Sequence, residues 1–90
     1  MSEISLRRFY TAQLTNDWYG RERACWEHGR TFRGTPRQIL AEVREFGRVS
    51  GGCDIAVRIT GPRGEIVDVE RLRDAVVIAE MAAEDRRRNR

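Results

Sequence analysis

Two periods divide the hydrophobic pattern of this chain. Ile39, Leu40, Val43 and Phe46 recur at three- to four-residue spacing, which predicts an amphipathic helix. Cys53, Ile55, Val57 and Ile59 alternate with Asp54, Arg58 and Thr60, which predicts a half-buried strand. Ile4–Leu14 also reads as a strand, with Leu6, Tyr10, Ala12 and Leu14 on one parity and Arg8 the exception. Tyr, Phe and Thr suit a pleated surface better than a helix. Thr15-Asn16-Asp17 ends that run.

Punctuation residues set the boundaries. In Thr35-Pro36-Arg37-Gln38, Thr35 takes the N-cap position, Pro36 the first helical position, and Gln38 completes a Thr-x-x-Gln capping box. Gly47 is the expected end of that helix, with a loop over Arg48–Gly52. Gly61-Pro62-Arg63-Gly64 reads as a turn into a short strand at Glu65–Val67. Asp68 then stands where a second helix needs a cap, with Glu70 in its first turn and the helix running to about Asp85 or beyond. Residues 18–33 support two readings. One is a hairpin of Arg23–Glu27 and Arg30–Arg33 about His28-Gly29. The other is a short helix from Asn16 to His28, which Gly20 weakens. The hairpin is the preferred one.

These elements give an α+β fold in the order βββαββα, an antiparallel sheet of about five short strands with two helices packed on one face. Superposing Thr35 on Asp68 aligns Ile39 with Leu72 and Val43 with Val76. This coarse likeness reads either as a ββα repeat after an extra strand or, since identity between the halves is poor, as coincidence, which is the preferred reading. Ninety residues make one small domain, assigned to residues 1–85, followed by a basic tail at 86–90. A domain of this size has a thin core, and self-association is a common remedy.

Composition refines the picture in one respect. All 17 basic residues are arginine. Phosphate contacts accept either cation, so the absence of lysine points to a GC-rich coding sequence. Arginines outnumber acids six to four over residues 1–34, acids outnumber arginines ten to seven over 35–85, and Arg86, Arg87, Arg88 and Arg90 add four positive charges. The high isoelectric point therefore comes from the tail. The N-terminal sequence lacks an apolar signal-peptide run, no stretch is apolar enough for a membrane span, and the expected location is the cytoplasm.

Candidate chemistry is sparse. Cys25, Cys53 and His28 do not have zinc-motif spacing, so neither a metal nor a cofactor is expected, and the cysteines read as free, partly buried thiols. Gly47–Gly52 lacks the Lys and the following helix of a phosphate loop. Cys25 and His28, three apart, form the one nucleophile–base pair, with no evident third group to orient it. The expectation is a non-catalytic protein.

The second helix carries the anomaly. Leu72, Ala75, Val76, Ile78, Ala79, Ala82 and Ala83 project to one face, and Glu70, Arg73, Glu80 and Glu84 to the other. Val77 and Met81 fall within the polar side, one turn apart. Val77, Met81, Arg73, Glu80 and Glu84 are therefore the candidate partner-binding residues: an apolar centre with a charged rim. The leading expectation is a small accessory or regulatory protein that contacts another protein or itself as a homodimer. Its size and coding bias fit a phage- or mobile-element-encoded modulator of a host protein. The alternative is nucleic-acid binding through Arg21, Arg23, Arg30, Arg33 and Trp26 with the arginines of the tail.

Overall fold

In the computed structural model, which describes residues 4–20 and 22–89, the α+β architecture is built on one central strand. Strand β1 (Tyr10–Thr15) pairs antiparallel on both edges, with β4 (Arg30–Gly34) on one side and β5 (Ala56–Thr60) on the other. Strand β6 (Ile66–Val67) closes the order β4-β1-β5-β6. Between β1 and β4 the chain makes an excursion: β2 (Trp18–Tyr19) and β3 (Arg23–Ala24) form a separate two-stranded ribbon, followed by a 3-10 turn at Trp26–His28. Helices α1 (Pro36–Val49) and α2 (Val69–Arg88) pack on each other and on one face of the larger sheet.

Strand alternation decides which side chains meet the helices. Tyr10, Ala12 and Leu14 are buried, and their cross-strand partners Phe32, Ile59 and Val57 lie on the same face. Ile39 and Phe46 of α1, Leu72 of α2 and Val67 of β6 complete the core. Arg30, opposite Leu14, also faces the helices. Its guanidinium lies 3.1 Å from Glu42 Oε1, which has no hydrogen-bond partner among the described residues.

Several boundaries move from their expected places. The first strand begins at Tyr10 rather than Ile4, because the Ser5 N–H donates to the Tyr10 hydroxyl at 3.1 Å and the chain turns there. The hairpin of 23–27 with 30–33 does not form. β3 pairs with β2 and β4 with β1, a choice that packs Phe32 against the core. Gly29 is extended, at φ −86° and ψ −172°, and its missing Cβ lets it pass against the Leu14 carbonyl. Helix α1 continues through Gly47, which lies against Ile55, to Val49. It ends where the Ser50 hydroxyl donates to the Phe46 carbonyl at 2.7 Å and Gly51 turns left-handed at φ +63°.

The helix starts contrast. Thr35 and Gln38 form the full capping box, the Thr35 N–H donating to Gln38 Oε1 at 2.9 Å and the Gln38 N–H to Thr35 Oγ1 at 3.5 Å. Asp68 occupies the N-cap position of α2 without a side-chain capping bond, contrary to its expected role. Two ββα units are present in the fold, with other bounds than the sequence likeness of 23–46 and 54–84 suggested. The palindromic strand order makes two ββα units, β1-β4-α1 and β5-β6-α2, with β1 in the place expected for residues 23–27. Ile39 and Leu72, aligned by their caps, are both fully buried.

Candidate functional site

Helix α2 buries one stripe and leaves apolar residues on the other. Leu72 and Val76 are buried, while Val69, Ala75, Ala79 and Ala83 are half-buried along the same side. Val77 (45% exposed), Met81 (61%) and Ile78 (66%) face outward. Met81 lies three residues from Ile78 and four from Val77, so it neighbours both on the helix surface and joins them into one patch. Exposed Ala82 extends the patch. Ile78 and Ala82 were expected on the core side. The core-facing stripe is narrower than their helical projection implied, and it is completed by alanines that let α2 lie close to the sheet and to α1.

Charged residues border this patch. Arg73, Glu80 and Glu84 are exposed on α2, Asp74 and Asp85 flank the apolar patch along the helix, and Arg37 of α1 reaches Glu80 at 3.7 Å. A shallow groove between the helices is lined by Leu40 and Val43 of α1 and by Arg73, Val76, Val77 and Glu80 of α2. The groove thus contains three of the five expected contact residues, while Met81 and Glu84 lie further along the helix. Such exposed ion pairs contribute little to stability. Their consequence is a charge pattern around an apolar centre.

The arginines of the alternative reading are distributed over the molecule. Arg23 lies over the Tyr19 ring with 5.9 Å to its centroid. Arg30 faces α1, and Arg33 occupies the open side of the sheet, 5.3 Å from the Phe9 centroid. Trp26 is half-buried beneath Arg58, 4.5 Å from its ring centroid. Arg86, Arg87 and Arg88 form the last turn of α2, where Arg88 pairs with Glu84 at 3.1 Å. Arg21 and Arg90 lie outside the described residues.

A second cluster lies in the excursion between β1 and β4. The chain brings Asp17 to the Cys25–His28 pair, and one donor atom of each lies within 4.8 Å of the others. His28 Nδ1 and Asp17 Oδ2 are 2.6 Å apart. That hydrogen bond holds the Asp17 carboxyl below its ordinary range and raises the His28 imidazole above its own. Cys25 is buried, and its nearby thiol raises the Tyr19 phenol above its ordinary range. The other cysteine, Cys53, is exposed and free. The third group thought absent from the Cys25–His28 pair is therefore Asp17. Sequence spacing could not supply it, because the contact spans a turn, a ribbon and a 3-10 element.

No family model, curated protein or solved structure matches the chain. Among the described residues, no helix is long and apolar enough to cross a membrane.

Proposed function

We propose that this chain is a small non-catalytic interaction protein that works through α2, and that the occupant of the exposed α2 face is a second copy of the chain. The observation carrying this reading is the contiguous patch of Val77, Ile78 and Met81 on a helix whose other side already lies against the body. Charge complementarity favours self-association. An antiparallel pairing about a two-fold axis at Ile78 sets Asp68 opposite Arg88, Glu70 opposite Arg86 and Arg71 opposite Asp85. Each pair occurs twice in a dimer. A regulatory role, such as modulation of a host protein, would then belong to the assembled form.

Sedimentation of the Val77→Ser/Met81→Ser protein tests this reading. The wild type should dimerise with increasing concentration, whereas the variant should remain folded and sediment as a monomer. A wild type that stays monomeric through the high micromolar range, or a variant that dimerises equally well, contradicts it.

A second reading has one observation in its favour. The open side of the sheet presents Thr11, Gln13, Thr31, Arg33, Arg58 and Thr60, with no acid among those strand positions. Its arginines lie over Phe9 and Trp26. Aromatic and cationic groups on an open sheet can stack bases and neutralise phosphate. This reading requires single-stranded oligonucleotide binding that falls steeply with salt and is lost in Arg33→Ala/Arg58→Ala.

A further inference from the structure

Thr15 organises the cluster between β1 and β4. It is fully buried, and its hydroxyl donates to the Cys25 carbonyl at 3.0 Å while accepting the Asp17 N–H at 3.1 Å. The Cys25 N–H donates to the Asp17 carbonyl at 2.9 Å. One buried hydroxyl and one backbone bond thus fix the segment carrying Asp17 against the segment carrying Cys25. The 3-10 turn continues this order to His28, whose N–H donates to the Cys25 carbonyl at 3.3 Å. Gly29, pressed on the Leu14 carbonyl, sets where the turn rejoins the sheet. The backbone is therefore arranged before any ligand arrives, a requirement for a site built from short segments.

We infer that Asp17, Cys25 and His28 form a binding site for a divalent transition-metal ion of the zinc class. The donor set carries the choice. A thiolate and an imidazole select a borderline-soft ion, and a carboxylate is an accepted third ligand for zinc. Magnesium and calcium prefer oxygen sets. His28 Nδ1 and Asp17 Oδ2 already meet at 2.6 Å beside the Cys25 thiol, so binding of an ion replaces their hydrogen bond and displaces the thiol proton. Asp17 and His28 are exposed, so their side chains have room to open around an ion. A buried thiol suits a ligand better than a nucleophile, since a nucleophile must meet its substrate. Three protein donors leave the ion a coordination position for water. The ion would tie the β2–β3 excursion to the end of β1, and this role is independent of how α2 is used.

Titration of the full chain with Co2+ under reducing, anaerobic conditions tests the site. One equivalent should produce a near-ultraviolet thiolate-to-cobalt band. Cys53→Ser should retain that band and Cys25→Ser should abolish it. His28→Ala and Asp17→Ala should each weaken binding by about tenfold or more, the scale on which even outer-sphere partners of a metal act. Because Cys25 is buried, its variant counts only if its circular dichroism is native. If it unfolds, the exposed His28 and Asp17 variants decide the matter. Absence of the band in the wild type, its loss with Cys53 rather than Cys25, or unchanged affinity in both the His28 and Asp17 variants would overturn the assignment.

Discussion

The two ββα units share strand order and helix placement, but each departs from the minimal motif at a different point. The first joins its strands through a 14-residue excursion, Asn16–Gly29, that holds the Asp17–Cys25–His28 cluster. The second joins them across Gly61–Glu65 and instead extends its helix to 20 residues. Their helices also use apolar residues differently. With the caps superposed, Phe46 of α1 corresponds to Ala79 of α2, and Phe46 belongs to the core. Helix α2 sends alanines toward the body and keeps Val77, Ile78 and Met81 outside. A shared scaffold thus leaves one unit with an elaborated loop and the other with an uncovered helix face. Those are the places where function is proposed.

The largest effect should come where the units agree. Ile39→Ala and Leu72→Ala occupy equivalent, fully buried positions, and each should cost about 2–5 kcal/mol in chemical denaturation. A near-neutral result at either position would break the equivalence. The connectors should diverge next. An Ala at Gly29 meets the Leu14 backbone carbonyl, which cannot move aside, whereas an Ala at Gly61 meets the flexible Glu65 side chain. Gly29→Ala should cost about 1–3 kcal/mol, and Gly61→Ala less than about 1 kcal/mol on the same overpacking scale. Equal losses would show that the excursion is not anchored through Gly29.

The caps sharpen the contrast further. Thr35→Ala removes a capping box and should cost about 0.5–2 kcal/mol. Asp68→Ala removes no side-chain capping bond and should cost only a few tenths of a kcal/mol through the helix dipole. Denaturation midpoints that rank the two in the opposite order would reverse this account of the helix starts. A comparably small stability change should follow Val77→Ser/Met81→Ser, within about 0.5 kcal/mol for exposed positions. A larger loss measured on the monomer would return both residues to the core.

Local signals were legible where they depended on neighbours in sequence. Thr35, Pro36 and Gln38 specify their own helix start, and the exposed positions of Val77 and Met81 follow from helical phase. Signals that depend on distant partners were not legible. Strand β4 pairs with β1 across the excursion because the central strand offers Phe32 a core contact. Nothing near residue 30 announces that choice. Gly47 looks like a helix stop in sequence, yet α1 passes through it, because a single helical glycine costs only about 1 kcal/mol. The left-handed glycines Gly51 and Gly52 follow the actual end. The helix projection placed Ile78 inward because it assumed that a helix covers all of its apolar residues; α2 has 66% of Ile78 exposed. In sequence Asp17 stands out as a strand breaker and as an acid among arginines. Its approach to His28 requires the fold.

Sedimentation equilibrium on a charge exchange tests the central claim most directly. Arg71 and Asp85 are too far apart on α2 to pair within one chain, but the antiparallel dimer about Ile78 sets each opposite the other across the interface. Arg71→Asp and Asp85→Arg should each weaken the dimer by placing like charges opposite one another. The double variant restores opposite charges and should recover wild-type association. A wild type that remains monomeric, or a double variant no better associated than either single, would contradict the assignment of the exposed α2 face to self-association.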